Sequence, residues 1–123
     1  FSGSYTEVLS RTSGFPVIIA DRDRIVSASG ISKKEVLERH ISPKMEELME
    51  SRACYLWEKG ARESLKPIEN SETEASVACP IIAAGDIAGA VIFLKTNNSN
   101  PPTQTEVKLC QVAAAFLGKQ MES

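Results

Sequence analysis

Few residues in this chain are equipped for chemistry. Three thiols, Cys54, Cys79 and Cys110, lie 25 and 31 residues apart, which fits neither a zinc-ligand spacing nor a disulfide framework. They read as reduced thiols, with Cys79 and Cys110 as small core residues and Cys54 as the one opening onto a variable segment. One accessible thiol with no base assignable beside it makes no catalytic set. His40 is the only histidine; no metal site gathers around it, and no cofactor is predicted. Polar recognition is better served. Ser27 and Ser29 share one strand face, Arg52 carries the fork that clamps a carboxylate or phosphate, and Ser76 interrupts an apolar strand where its hydroxyl needs a partner. These four are the candidate ligand-binding residues. Each has a plainer alternative: strand serines in water, a surface arginine, a Ser76 hydroxyl bonded to backbone. Trp57 is either a pocket wall or a core anchor.

The elements that must position them follow from periodicity. Tyr5, Val8 and Leu9 give a short helix over Ser4 to Thr12, stopped by Ser13-Gly14. Phe15 to Asp21 and Arg24 to Ser29 form two strands around a polar turn whose backbone Asp21 and Asp23 can bind. Ser32 with Glu35 three residues on is a capping-box signature, predicting a helix from Lys33 to Arg39 with Val36 and Leu37 inward and His40 at its cation-favouring end. Ser42-Pro43 starts another, striped by Met45, Leu48 and Met49. Arg52 to Trp57 is compatible with strand or helix. Glu58 to Thr73 is a long polar loop with one short strand near Leu65 to Glu69. Ala75 to Ile82 and Ile87 to Lys95, joined at Ala84-Gly85-Asp86, are strands apolar on both faces, as in the middle of a covered sheet. Ala88, Gly89 and Ala90 are small enough for another element to approach closely. Thr96 to Pro102 is a polar linker.

The final helix, Gln104 to Met121, bears two apolar stripes. Val107, Cys110, Ala114, Leu117 and Met121 recur at 3, 4, 3 and 4, a heptad seam; Leu109, Val112, Ala113 and Phe116 form the other. One sheet needs one stripe, so the second calls for another partner: the first helix, a second copy, or both. The seam residues together with Val8 are the predicted interface of a homo-oligomer built through the terminal helices. Aspartate at Leu117 and Val107 is expected to dissociate it and leave the domain folded.

The 123 residues suffice for one domain with a real core. Charged residues make up 24%, near the globular average, so wholesale disorder is not expected. Fourteen Lys and Arg against sixteen Asp and Glu, formal net charge −2, leave no basic surplus to grip a nucleic-acid backbone. The apolar runs are too short to span a bilayer. The opening Phe1-Ser2-Gly3-Ser4, with neither Met nor a signal-peptide pattern, suggests a segment of a longer cytoplasmic protein.

Helix, hairpin, two helices, irregular segment, hairpin and long helix imply an α+β fold, a central antiparallel sheet with helices on both faces. PAS and GAF sensor domains share this architecture. The run from Pro80 to Phe93, with Gly85-Asp86 and Gly89-Ala90, resembles the last strand pair of a GAF domain. Asp21-Arg22-Asp23, Ser29 to Lys34 and Ala113 to Glu122 add to it. Together they resemble the C-terminal GAF domains of the stage V sporulation protein T family of endospore-forming bacteria, from Tyr5 to Glu122. The resemblance implies a single GAF-like regulatory domain over residues 1–123, with DNA bound by an AbrB-like N-terminal domain outside this segment. It also implies regulation of forespore sporulation genes, association through terminal helices, and an unknown small-molecule effector held between one sheet face and the middle segment. An assembly module with a collapsed pocket is the alternative. A more distant one is a thiol-dependent enzyme similar to free methionine-sulfoxide reductases, which also resemble GAF domains.

Overall fold

The computed structural model describes residues 3–97 and 100–122; residues 98 and 99 of the predicted linker, and the first two of the chain, lie outside the described residues. In chain order the elements are α1 (Gly3–Ser13), β1 (Val17–Ala20), β2 (Ile25–Ser29), α2 (Lys33–Val36), α3 (Pro43–Ser51), β3 (Tyr55–Leu56), β4 (Ala75–Ala83), β5 (Asp86–Leu94) and α4 (Gln104–Glu122). The five strands pair antiparallel in the order β2-β1-β5-β4-β3.

Strand residues alternate between faces, and both faces are covered, as the doubly apolar strands require. Val17, Ile19, Val77, Cys79, Ile81, Val91 and Phe93 pack against Leu9 of α1 and Cys110, Ala113, Ala114 and Leu117 of α4. Ile18, Ala78, Ala90 and Ile92 face the other way, onto Val36 of α2, Met45 and Met49 of α3, and Ile41, Leu65 and Ile68 from the irregular segments. Each of the larger side chains so buried contributes about 1.5–3 kcal/mol over leaving it in water.

Two glycines allow close backbone approach, one between neighbouring strands and one between helix and sheet. A Cβ on Gly89 would run into the carbonyl oxygen of Ala20, and one on Gly118 into that of Ile82, so α4 lies directly on the β4 backbone. The β4–β5 hairpin turns on Ala84 and Gly85, both with positive φ (50° and 85°), the pair a type I′ turn demands.

Local signals decided some ends and tertiary pairing decided others. Ser42 caps α3 as expected: its Oγ accepts from the Met45 amide at 3.1 Å and donates to the Lys66 carbonyl at 2.6 Å. Ser32 makes no side-chain cap, and α2 stops at Val36 rather than Arg39. The cause is the β2 edge: the Glu38 amide donates to Ile25, the Ile25 amide to Arg39, and Glu38 takes a positive φ of 68°. His40 is therefore an exposed residue bridging Arg24 across that edge, not a helix terminus. Half of a capping box forms instead at α4, where the Glu106 carboxylate accepts from both the Thr103 amide and the Thr103 hydroxyl. The short strand expected near Leu65 reduces to one bridge, Ile41 to Ile68.

Candidate functional site

The four predicted ligand residues are not brought together. Ser27 and Ser29 lie in register with Ile19 and Val17 and so face α1, away from the middle segment. The buried Ser27 hydroxyl is 2.6 Å from that of Thr6, and this pair satisfies both inside the α1–β2 contact. Arg52 is exposed at the C-cap of α3, left-handed at φ 60°. Ser76 occupies the irregularity between Ala75 and Val77 on β4; its hydroxyl is fully buried and, among the described residues, has no hydrogen-bond partner. Nothing links these positions into one pocket.

Between the sheet and the middle segment, where the effector was expected, Ile18, Ile25, Ile41, Met45, Met49 and Ile68 pack together. Outside that layer, an open groove of about 1070 Å³ runs between α3 and residues 62–72. Leu48, Tyr55, Leu65 and Ile68 supply its apolar lining, and Arg62, Lys66 and Glu69 are among its charged residues. The Tyr55 hydroxyl accepts from the Leu65 amide at 3.3 Å and ties the groove's two sides together. Trp57 lies elsewhere: Lys95 Nζ rides 3.9 Å above its ring while bonding Glu74 at 2.8 Å. That contact holds the Glu74 carboxyl below its ordinary range.

The terminal helices present the second surface, and the predicted interface divides there. Cys110, Ala114 and Leu117 of the heptad seam are buried against the chain's own sheet, and Val107 is half-buried. Only Val8 and Met121 of that set remain exposed. Of the other stripe, Val112 (65% exposed) and Phe116 (47%) face outward alongside Val8 at 60%, whereas Ala113 is buried and Leu109 half-buried against the core. Sequence reasoning missed this choice of stripe, although Ala114 and Gly118, one helical turn apart, are the small residues that mark the side meeting a backbone.

The thiols are also rearranged relative to their spacing. Burial and the neighbouring Cys79 thiol push Cys54 up to about 12, and the Cys110 thiol together with burial raises Cys79 well above the usual range. Among the described residues no His, Cys, Asp and Glu cluster is arranged to hold a metal, and no helix is long and apolar enough to cross a membrane.

Comparison with known proteins gives three kinds of likeness. The family model for stage V sporulation protein T C-terminal, transcription factor, matches residues 1–122. Stage V sporulation protein T of Bacillus subtilis (strain 168) is 32% identical over 122 residues, covering 99% of this chain and 67% of that protein. Among solved structures, the cofactor binding GAF domain of the nutrient sensor CodY from Clostridium difficile superposes with a TM-score of 0.64 at 11% identity, over 97% of this chain and 83% of that one. The GAF domain/HD domain protein from Geobacter sulfurreducens gives 0.64 at 15% identity, over 94% and 85%. The GAF domain of a phosphoenolpyruvate-protein phosphotransferase from Coxiella burnetii gives 0.64 at 16%, over 94% and 79%. These three establish a GAF fold.

Proposed function

Because this chain belongs to the stage V sporulation protein T C-terminal family of transcription factors and has a GAF fold, we propose that it is a single regulatory domain that joins copies of its regulator through the outer face of α1 and α4. The observation that carries this reading is the apolar patch of Val8, Val112 and Phe116, which covers nothing in the chain's own core. Tyr5 stacks on Phe116 and binds the patch across both helices. Exposed apolar patches of this kind mark association surfaces. A net charge of −2 supports leaving DNA contact to a separate domain of the regulator. A DNA-directed role in turn places the protein in the cytoplasm, and in the forespore if it follows the resemblance. Thiols held protonated favour regulation over thiol catalysis. Sedimentation velocity tests the assembly: the unaltered chain forms a dimer or larger species at micromolar concentration, and Val8→Asp with Val112→Asp returns it to a monomer whose circular dichroism spectrum is unchanged. A monomeric unaltered chain at high concentration overturns the reading.

The groove beside α3 favours a second role, binding of a small effector with an apolar body and a charged group. Its volume falls at the upper end of small-molecule sites. Thermal-shift screening of amino acids and nucleotides tests it, since a ligand at 100 times its Kd adds about 2.7 kcal/mol. No shift across the panel leaves the domain an assembly module alone.

A further inference from the structure

We propose that Cys54 and Cys79 form an oxidative modification site, in which a low-molecular-weight disulfide converts the two thiols into a cross-strand disulfide tying β3 to β4.

The argument begins with register. Tyr55 pairs with Ala78 and Leu56 with Val77; Cys54 lies just before β3, and extending that register by one residue brings it opposite Cys79. The Trp57 amide donates to the Ser76 carbonyl, making 57 with 76 a hydrogen-bonded pair. Counting back in steps of two, 55 with 78 is also such a pair, and 54 with 79 falls at the non-hydrogen-bonded position. There Cα atoms approach to about 4.5 Å and side chains are closest, within the range a disulfide spans. The two thiols are near enough to perturb one another, and all three cysteines are free.

Accessibility assigns the order of events. Cys54 is exposed, whereas Cys79 is 1% exposed and Cys110 fully buried. Cys54 therefore meets the reagent and Cys79 resolves it. In the first step the Cys54 sulfur attacks one sulfur of the small disulfide; that bond breaks, and the departing half leaves as a thiol carrying the Cys54 proton. In the second step the Cys79 sulfur attacks Cys54; the mixed disulfide breaks, and the second half leaves as a thiol with the Cys79 proton. Two cysteines are oxidised to one disulfide, and one small disulfide is reduced to two thiols. Cys110 lies on the far side of Cys79, its Sγ directed at the Val91 carbonyl at 3.5 Å, and is not consumed. Because the Cys54 thiol is held protonated at neutral pH, the exchange is a slow, stoichiometric mark rather than a turnover reaction. Neither cysteine lines the groove or belongs to the Val8, Val112 and Phe116 patch.

The experiment treats the reduced chain with excess oxidised glutathione and maps the products by peptide mass spectrometry without reduction. The expected product is a Cys54–Cys79 cross-linked peptide pair with Cys110 free. Cys79→Ala is expected to stop at a glutathione adduct on Cys54. Cys54→Ser alters an exposed position, so it stays folded and keeps the test open if Cys79→Ala does not fold; in it Cys79 and Cys110 are expected to stay unmodified. A stable adduct on Cys54 of the unaltered chain, a Cys79–Cys110 product, complete inertness of all three thiols, or Cys79 oxidation persisting in Cys54→Ser would each overturn the proposal.

Discussion

Tyr5 of α1 stacks on Phe116 of α4, their ring centroids 5.4 Å apart and their planes 20° from parallel. The pair joins the two ends of the described chain on one outer surface. It leaves Phe116 about half in water, while burial raises the Tyr5 hydroxyl above its ordinary range. Val8 lies one turn along from Tyr5, and Val112 one turn back from Phe116. A contact worth about 0.5–1.5 kcal/mol beyond its area thus also sets the shape of an exposed apolar patch.

Neighbouring residues on α4 are expected to behave oppositely. Phe116→Asp places a charge in water and costs the fold about 1 kcal/mol through the lost stacking, while abolishing association. Leu117→Asp puts an unpaired charge into a site 4% exposed and is expected to cost more than 3 kcal/mol, or to prevent folding. Aspartate at Leu117 is therefore a core lesion, not the clean dissociating change that the heptad seam suggested. Urea denaturation with sedimentation velocity on both variants separates the two effects.

Gly118→Ala adds only a methyl group, yet it must displace the Ile82 carbonyl from α4. Helix propensity favours alanine by about 1 kcal/mol. Overpacking against backbone at this closeness costs toward the upper end of about 1–3 kcal/mol and outweighs that gain, so a net loss of about 1–2 kcal/mol is expected from the chemical-denaturation midpoint. A neutral or stabilising result would mean that α4 rides higher on β4 than described.

The buried Thr6–Ser27 hydroxyl pair predicts non-additivity. Thr6→Val leaves the Ser27 hydroxyl buried without its partner, at about 1–3 kcal/mol; adding Ser27→Ala removes the orphan and is expected to recover much of that loss. A four-variant denaturation cycle measures the coupling.

Glu74 gives a pH dependence of definite sign. Hydrogen bonding to Lys95 lowers its folded value below the ordinary 4.5. Its contribution is therefore complete above that ordinary value and is lost as pH falls through the lower folded one. The carboxylate is 36% exposed, which limits the effect to about 1 kcal/mol or less. Lys95→Met keeps an apolar stem beside Trp57 and is expected to flatten this part of the stability profile below about pH 4.5. An unchanged slope would assign the acid sensitivity to other carboxylates.

Much of this architecture was legible because its causes are local. Ser42-Pro43 announces a helix start through the geometry of its own first turn. The runs around Val77 and Val91 announce central strands because both faces are apolar. Where a distant backbone competes, the signal fails: Ser32 and Glu35 spell a capping box, but the β2 edge takes Glu38 and Arg39 and ends the helix early. The candidate ligand set failed for a related reason. Ser27 and Ser29 share a strand face as read, but only the sheet's stacking says which face, and it is the one against α1.

The order of amino acids by itself determined the elements, their amphipathic faces, the α+β class and the family likeness, since each depends on periodicity or on motifs a few residues long. Tertiary structure alone decided which stripe of α4 meets the sheet, that apolar side chains pack between the sheet and the middle segment, and that thiols 25 residues apart in sequence come close together at the β3–β4 edge. A helix apolar on two sides can be turned either way at equal local cost. The choice belongs to close packing against a backbone that only the folded chain supplies, and Gly118 against Ile82 is where that choice is made.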